Sequence, residues 1–240
     1  MEETLSPLIK SNPCNDLWIH GPVGTGKTTC IRHTLKQLKI QRNIETVYIN
    51  CKIQSTQPAV FSRILQLFDF YTARRGRGAD EHLDRIRQLL KDDNVVVVLD
   101  EFDALENPGE LLYRLKTVCE DQDHFLTTVV LSTKSPDGLE LGKRDGSRFD
   151  PVNLEFPVYT EKELQTVVED RIESAFRTGV VAETVPELVT DRVANQIRDG
   201  QGDVRRALSI LRCAGVKAER QGAGKVTAAH VEASFNPARD

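Results

Sequence analysis

The sequence has no cysteine pair at C-x-x-C spacing and no histidine pair at H-E-x-x-H spacing, two patterns that would indicate a zinc or redox site. Its cysteines are odd in number and widely scattered, which does not suit a disulfide framework. We therefore expect free, buried thiols in a reducing compartment. The five positions are Cys14, Cys30, Cys51, Cys119 and Cys213.

Long hydrophobic runs are also missing. No apolar stretch approaches the roughly 20 residues that a membrane-spanning helix needs. The opening residues, MEETLSPLIKSN, lack the basic and apolar regions of a signal peptide. We expect a cytoplasmic protein that has no membrane partner and that can associate with the nucleoid.

An excess of positive charge is the third absence. Lys and Arg number 32 against 36 Asp and Glu, which gives a formal net charge of −4. This balance argues against a protein that coats DNA through bulk charge, although a local basic patch is still allowed. The stretch RRGRG, Arg74 to Gly78, could supply a small, salt-sensitive contact to phosphates, or it could be a solvated loop.

Strand and helix patterns alternate over the first two thirds of the chain. Such alternation predicts an α/β domain with a parallel sheet flanked by helices. The continuous apolar run NVVVVL predicts a central strand that is buried on both faces. The predicted strands are Leu17–His20, Glu45–Asn50, Asn94–Leu99, Thr127–Ser132 and Leu154–Phe156, and the predicted helices are Thr28–Leu38, Ala59–Phe70, Glu81–Leu90 and Glu110–Cys119.

The pattern changes after Pro157, where only helices are predicted. Thr160 and Glu163 form a capping box that opens a helix through about Phe176. We place the domain boundary near Phe156 to Tyr159, with an α/β body over residues 1–157 and a small all-helical lid over residues 158–240. The other lid helices are predicted at Pro186–Arg198, Asp203–Arg220 and Thr227–Phe235.

A glycine-rich loop follows the first predicted strand. It matches G-x-x-x-x-G-K-[ST] between a strand and a helix, which is the context that distinguishes a phosphate-binding loop from a tight structural turn. Bare backbone lets N–H groups converge on phosphate oxygens, and the helix N-terminus adds partial positive charge. Lys27 is expected to reach the β- and γ-phosphates, and the Thr28 hydroxyl to ligate Mg²⁺. The predicted nucleotide-binding residues are Gly21, Pro22, Val23, Gly24, Thr25, Gly26, Lys27, Thr28 and Thr29.

Two acids follow the buried strand in VVVVLDE. A carboxylate at the carboxyl end of such a strand lies beside the phosphate loop, so we expect Asp100 to hold Mg²⁺ directly or through water. Glu101 would orient or deprotonate the attacking water, which hydrolysis requires and binding does not. The alternative is a strand that ends in a solvated acidic turn.

Two further polar residues are candidates. Thr133 follows the next strand, where its hydroxyl could reach the γ-phosphate or the water, or could satisfy its own turn. In GDVRRALSILRCAG the predicted buried stripe is Val204, Ala207, Leu208, Leu211 and Ala214. Arg205 points away from that stripe, so it either contacts the phosphates or is a solvated helix arginine.

These motifs in this order resemble the AAA+ ATPases, and in detail the archaeal replication-initiator family of the origin-recognition and cell-division-control type. The segments NDLWIHGPVGTGKT, VVVVLDEFDAL, LEFPVYTEKEL and GDVRRALSILRCAGVKAE carry the resemblance, which spans about Asn15 to Phe235. It implies an AAA+ fold, Walker A and B motifs, ATP or ADP with Mg²⁺, Tyr159 in the adenine pocket and Arg205 as the sensor arginine. It also implies an arginine finger, Arg148 or alternatively Arg144.

The sequence departs from the family pattern at two points. Thr133 stands where the family has an asparagine, from which we expect slow hydrolysis. The chain ends at Asp240, and family members continue into a DNA-binding winged-helix domain, so we expect a short form with weak DNA contact. The resemblance implies a nucleotide-dependent switch in the assembly of initiator subunits or of the chain with itself. The alternatives are a nucleotide-occupied, catalytically weak partner of full-length initiators, a clamp-loader-like protein, or a mobile-element regulator.

Overall fold

The structure, a computed structural model, describes residues 15–41, 45–68, 79–89, 95–118, 126–139, 149–196 and 203–235. The chain divides into two units. The first comprises Met1–Gly21 and Lys27–Phe156, and the second comprises Pro22–Gly26 and Pro157–Asp240.

The first unit contains a five-stranded parallel sheet in the order β2-β3-β4-β1-β5. The predicted fold class is confirmed. Its strands are β1 Leu17–His20, β2 Glu45–Asn50, β3 Val95–Asp100, β4 Leu126–Ser132 and β5 Val152–Glu155. Its helices are α1 Lys27–Gln41, α2 Gln57–Phe68, α3 Ala79–Leu89 and α4 Pro108–Thr117, with short 3₁₀ turns at Phe102–Ala104 and Asp137–Leu139.

Alternate residues of the buried strands pack into separate cores on the two faces of the sheet, as the two-residue period of a strand requires. All six residues of β3 are buried, as the apolar run predicts. One core contains residues of α2, α3 and α4, and the other contains residues of α1. On β3, the first core takes Val95, Val97 and Leu99, whereas the second takes Val96 and Val98.

Most element boundaries differ from the sequence prediction by one to three residues, and two of these differences have a clear local cause. β5 begins at Val152 rather than Leu154, because the Val152 N–H donates to the backbone carbonyl of Asp16 at 2.8 Å and so joins the sheet edge. Val152 itself is 38% exposed, so the hydrophobic pattern does not reveal the start of this strand. α4 begins at Pro108 rather than Glu110, since proline suits the first turn of a helix, where a backbone N–H lacks an intrahelical partner.

A partly buried ion pair connects the residue before β1 to neighbouring elements. Lys116 Nζ on α4 donates to Asp16 Oδ1 at 2.5 Å, and the backbone N–H of Thr128 on β4 donates to the same oxygen at 2.8 Å. Burial raises the pKa of Asp16, and the charge of Lys116 opposes that rise. The pair therefore fixes α4 and β4 to the first strand.

The second unit contains α5 Glu161–Ala175, α6 Val185–Gln196, α7 Val204–Arg220 and α8 Ala228–Phe235. The capping box predicted at Thr160 and Glu163 is confirmed, with both reciprocal hydrogen bonds present. Between its helices the described part of this unit has one isolated parallel bridge, Val181 to Val226. Its core consists of Leu164, Val168, Val185, Val189, Val193, Ala207, Ile210, Leu211, Ala214, Ala218, Val226 and Val231.

The buried stripe of α7 differs in part from the prediction. Ile210 and Ala218 are buried in addition to the predicted alanines and Leu211, whereas Leu208 and Val204 are only half-buried. The helix thus turns a second, partly exposed apolar edge outward. Among the described residues, no helix has the length and apolarity needed to cross a membrane.

Candidate nucleotide-binding site

The loop between β1 and α1 has a backbone that requires glycine. Gly21, Gly24 and Gly26 have φ values of 142°, 87° and 87°, a region that residues with a Cβ rarely adopt. A Cβ on Gly21 would lie 2.1 Å from the carbonyl oxygen of Phe156, a distance that no real Cβ contact allows. The glycine spacing of the motif is therefore required by the geometry of the loop.

Side chains within the loop bond to its own carbonyl groups. Lys27 Nζ donates to the Gly21 carbonyl oxygen at 2.6 Å, and Thr25 Oγ1 donates to the Pro22 carbonyl oxygen at 3.0 Å. Thr25 is buried, whereas Val23 is 58% exposed. The ammonium group of Lys27, at the start of α1, is thus held against the first residue of the loop. Pro22 is half-buried and Thr29 is exposed.

The Asp100 carboxylate is the centre of a hydrogen-bonded cluster at the end of β3. Thr28 Oγ1 on α1 donates to Asp100 Oδ2 at 3.0 Å, and the Tyr48 hydroxyl on β2 donates to the same oxygen. The backbone N–H of Glu101 donates to Asp100 Oδ1 at 2.9 Å. The structure therefore brings the predicted pair Thr28 and Asp100 together, and it adds Tyr48, whose role the sequence analysis missed.

Tyr48 is held at its hydroxyl by Asp100 and at its ring by Arg32. Burial and the hydrogen bond to the Asp100 carboxylate raise the pKa of Tyr48 to about 12, so its hydroxyl stays a donor at neutral pH. The guanidinium carbon of Arg32 on α1 lies 4.3 Å from the centre of the tyrosine ring, within the range of a cation–π contact. α1, β2 and β3 are thus joined around one carboxylate.

Glu101 follows Asp100 and has a left-handed backbone, with φ 53° and ψ 44°. Among the described residues it is the single non-glycine residue with positive φ. Such a conformation costs of the order of 1–3 kcal/mol and is found most often at functional sites. Its side chain is exposed beyond the end of the strand. The geometry leaves this carboxylate open to solvent while Asp100 is buried.

Asp103, in the 3₁₀ turn after Glu101, is a polar residue that the sequence analysis missed. The Ser132 hydroxyl donates to Asp103 Oδ1. The backbone N–H of Thr133 donates to Asp103 Oδ2 at 2.8 Å, and its hydroxyl donates to the same oxygen at 2.5 Å. The signal was present in the sequence as a third acid in LDEFD, but only the fold shows that it faces the end of β4.

Thr133 is therefore not a free hydroxyl. Its proton is directed to Asp103, which leaves the oxygen lone pairs of Thr133 as acceptors. The residue is exposed at the end of β4. The sequence left two alternatives open for this hydroxyl, a contact to the γ-phosphate or water and a bond within its own turn. The structure shows a third arrangement, in which the hydroxyl is bonded to a neighbouring acid.

The residues near Asp100 fit a magnesium ion in their chemistry. Thr28 Oγ1 and Asp100 Oδ2 are hard oxygen donors 3.0 Å apart, which suits an ion that prefers one or two protein oxygens and takes its other ligands from phosphates and water. Within the part of the chain that the structure describes, no group of three or more His, Cys, Asp or Glu side chains could hold a metal. The two oxygens of Thr28 and Asp100 could therefore serve as protein ligands of a Mg²⁺ ion.

Two predicted nucleotide-site residues, Arg205 and Tyr159, belong to the second unit. Arg205 is exposed in the first turn of α7, whose N-terminus is capped by the Asp203 carboxylate accepting from the backbone N–H of Arg205 at 2.9 Å. The Tyr159 ring packs, half-buried, against the core of the second unit. The two arginine-finger candidates, Arg148 and Arg144, lie outside the described residues, as does RRGRG.

The described thiols match the prediction of free, buried cysteines only in part, because Cys30 is half-buried and Cys213 is exposed. Cys30, Cys51 and Cys213 are free. Burial, together with the smaller effect of the nearby carboxylates of Asp100, Glu101 and Asp103, raises the pKa of Cys51 to about 12. This thiol stays neutral and packs as a small apolar side chain.

Family models match both parts of the chain. A model described as an AAA domain matches residues 13–136, and one described as a Cdc6 AAA+ ATPase-type lid domain matches residues 165–236. The chain is 32% identical over 248 residues to ORC1-type DNA replication protein 6 of Halobacterium salinarum, covering 100% of this chain and 65% of that protein. It is 31% identical to an ORC1-type DNA replication protein of Pyrococcus abyssi, covering 96% of this chain and 58% of that protein.

The fold of the chain is also similar to that of solved structures. The Aeropyrum pernix ORC1 protein, solved in complex with DNA, matches with a TM-score of 0.84 and 29% identity, over 98% of this chain and 62% of that one. Cdc6p from Pyrobaculum aerophilum matches with a TM-score of 0.85 at 22% identity, over 97% of this chain and 64% of that one, which supports the fold alone.

The chain thus spans less than two thirds of the length of these relatives. The two family models, the two relatives and the ORC1 structure agree on the family. The resemblance to the archaeal replication initiators is confirmed. The chain belongs to the AAA domain family, with a lid of the Cdc6 type and with ORC1-type DNA replication proteins as its relatives.

Proposed function

We propose that this chain binds ATP with Mg²⁺ in the loop Gly21–Thr29, hydrolyses it slowly, and acts as a nucleotide-dependent switch in the assembly of replication initiators. The observation that carries the proposal is the 3.0 Å hydrogen bond from Thr28 to Asp100 beside the glycine loop. It links the residue after the loop lysine to the acid at the end of the central strand.

Binding rests on the loop. Backbone N–H groups and the N-terminus of α1 attract phosphate oxygens, and Lys27 exchanges the Gly21 carbonyl for a phosphate oxygen. Thr28 and Asp100 hold Mg²⁺, which when bound neutralises charge on the phosphates. Tyr48 orients the Asp100 carboxylate, because its hydroxyl donates a hydrogen bond to Asp100 Oδ2.

Hydrolysis rests on Glu101, which orients or deprotonates the attacking water, assisted by Thr133. The exposed carboxylate of Glu101 is available to water, while its backbone is held by the strained turn. Thr133 offers only lone pairs, since Asp103 takes its proton. An amide at this position could both donate and accept, and for this reason the threonine makes hydrolysis slow.

The residues of the lid complete the proposal. Division of the chain into a body at 1–157 and a lid at 158–240 lets the nucleotide fix the angle between them, with Arg205 on the phosphates and Tyr159 near the adenine. Arg148, or Arg144, would complete the site of a neighbouring subunit. Hydrolysis then releases the constraint on the lid.

The partners follow from the relatives. Initiator subunits, or a second copy of the chain, are proposed to assemble through the nucleotide site. The ORC1 structure in complex with DNA supports a DNA role for the relatives, and for this chain we propose weak DNA contact. The proposed compartment is the cytoplasm, at the nucleoid.

Two variants test the proposal. Lys27→Ala removes the charge that faces the phosphates, so binding of a fluorescent ATP analogue should be lost. Glu101→Gln keeps the loop and should bind ATP as the unmodified chain does while turnover falls by roughly 100-fold or more. Lys36→Ala, at an exposed lysine further along α1, is the matched control. Tight ATP binding by the Lys27 variant would overturn the proposal.

A second candidate function is favoured by the bond between Thr133 and Asp103. If that bond withholds Thr133 from the water, the chain holds ADP and serves as a nucleotide-occupied partner of full-length initiators. Turnover measured over hours, with and without duplex DNA, separates the two. Turnover that depends on Glu101 supports the switch, and its absence in both conditions supports the partner.

A further inference from the structure

The second unit contains a groove with an apolar floor. It lies between the end of α5, the turn after it, and one face of α7, and its volume is about 830 Å³. We call it the lid groove. Its apolar lining includes Phe176, Val180, Leu208, Val216 and Val226. Val216 is 39% exposed, one of only a few large apolar side chains so exposed in the described part of the chain.

The shape of the lid groove favours an elongated occupant. The residues of α7 that line it recur from Leu208 to Glu219 at helical spacing, along one face of the helix. Eleven residue steps at the rise of an α-helix correspond to roughly 16 Å. This length matches about three turns of a helix laid against α7, which is the way amphipathic helices bind in grooves.

The rim of the lid groove is basic. Arg171, Arg177 and Arg212 line it, against a single carboxylate, Glu219. All three arginines are exposed, and within the described residues none of their guanidinium groups has a hydrogen bond or ion pair. Guanidinium groups without a partner present several N–H donors, which suit carboxylates in a bidentate geometry.

We propose that the lid groove is a docking site for an amphipathic helix with acidic flanks, carried by a partner protein. Its apolar face packs on Val216 and Leu208, and its carboxylates pair with the three arginines. The charge complementarity selects an acidic partner, and the apolar floor selects one with an amphipathic face rather than a simple polyanion. This proposal does not depend on the nucleotide site, since none of the residues proposed to hold the nucleotide lines the groove.

The test uses a fluorescein-labelled three-turn helical peptide with leucines on one face and glutamates on both flanks. A second peptide has lysine in place of every glutamate. We expect the acidic peptide to bind the full chain, measured by fluorescence anisotropy, and the lysine peptide to bind at least roughly tenfold more weakly. Failure of the acidic peptide to bind, or equal binding of both peptides, would overturn the proposal.

Variants of the chain locate the binding. The double change Arg177→Glu with Arg212→Glu should weaken binding of the acidic peptide by roughly tenfold or more, and it should strengthen binding of the lysine peptide. Val216→Glu should weaken binding of the acidic peptide by a similar factor. Arg220→Glu, an exposed arginine of α7 that does not line the groove, is the matched control and should change little. Unchanged binding by both groove variants would also overturn the proposal.

Other occupants give distinct results. Labelled duplex DNA whose binding is lost in the arginine double variant but kept in Val216→Glu would show a phosphate site instead of a peptide site. Self-association of the chain that Val216→Glu abolishes would show that a second copy occupies the groove. Both results count against an acidic partner helix. All these variants should retain ATP binding, so failure here is distinguishable from failure of the proposed nucleotide site.

Discussion

The polar groups of the two units are organised in opposite ways. At the end of the sheet, the carboxylates of Asp100 and Asp103 each accept hydrogen bonds from several groups, and Asp100 is almost fully buried. In the lid groove, most charged groups are exposed guanidiniums without partners among the described residues. A reaction requires acids fixed in advance, whereas recognition of a partner requires donors left available.

The largest effect should come from the core beneath the acids. Phe102 is fully buried and meets the Trp18 ring edge-on at 5.4 Å between centroids. Phe102→Ala should lower the free energy of unfolding by about 3–5 kcal/mol, because it removes this contact and leaves a cavity. The single tryptophan of the chain reports the transition in urea. Ile53→Ala, at a side chain that is 76% exposed, is the control. A loss below about 1 kcal/mol would show that the acids need no rigid support.

Asp103 tests whether the fixed acids serve the reaction. Asp103→Ala removes the acid that fixes the Ser132 and Thr133 hydroxyls, so the lone pairs of Thr133 are no longer oriented for the water. Loss of these hydrogen bonds to a charged group should lower kcat by roughly 10- to 100-fold. The Kd for ATP should change little, because Asp103 does not bond to the phosphate loop in the structure. Asp103→Asn keeps one acceptor oxygen and should recover part of the rate. Equal losses in kcat and binding would assign Asp103 to folding alone.

Tyr48 tests the orientation of the magnesium ligand. Tyr48→Phe removes the hydroxyl that donates to Asp100 but keeps the ring beneath Arg32. Loss of one hydrogen bond of about 1 kcal/mol should raise the Mg²⁺ concentration needed for half-maximal nucleotide binding roughly fivefold. Binding measured without Mg²⁺ is the internal control and should be unchanged. An equal shift in both conditions would place the effect in the loop instead.

The smallest effect should be at the exposed capping box of the second unit. Hydrogen bonds from the backbone N–H and hydroxyl of Thr160 lower the pKa of Glu163 below its ordinary 4.5. A lowered pKa stabilises the fold above pH 4.5, and this stabilisation is lost as the pH falls through the lower folded value. Glu163→Gln should therefore reduce Tm slightly at neutral pH and not at strongly acidic pH. Circular dichroism against pH measures it, and a constant difference would contradict the linkage.

The sequence predicts the scaffold of the first unit well because local signals coincide there. The run NVVVVL, the glycine loop and the acids after β3 each have a local pattern that allows few structures. The capping box of α5 is equally local. These signals suffice to place Thr28 and Asp100 near one another through the topology of a parallel sheet.

Contacts between distant segments could not be predicted in the same way. From the sequence, Tyr48 is an ordinary strand residue and Asp103 is one more acid in a turn. Their hydrogen bonds become apparent only when β2 and β4 are placed beside β3. The start of β5 depends on a backbone bond to Asp16 rather than on side-chain pattern. The lid groove arises where α7 turns Leu208 and Val216 toward the end of α5, and helical periodicity alone assigns Leu208 to the core.

The left-handed backbone at Glu101 implies a conflict between two kinds of selection. A glycine there would relieve the turn and raise the melting temperature, and it would remove the carboxylate at the same time. Directed evolution for heat resistance alone should therefore enrich glycine at this position, whereas a screen that demands turnover should keep the acid. The difference in melting temperature between the Glu101 chain and its glycine variant then measures how much stability is lost in order to keep a carboxylate for turnover.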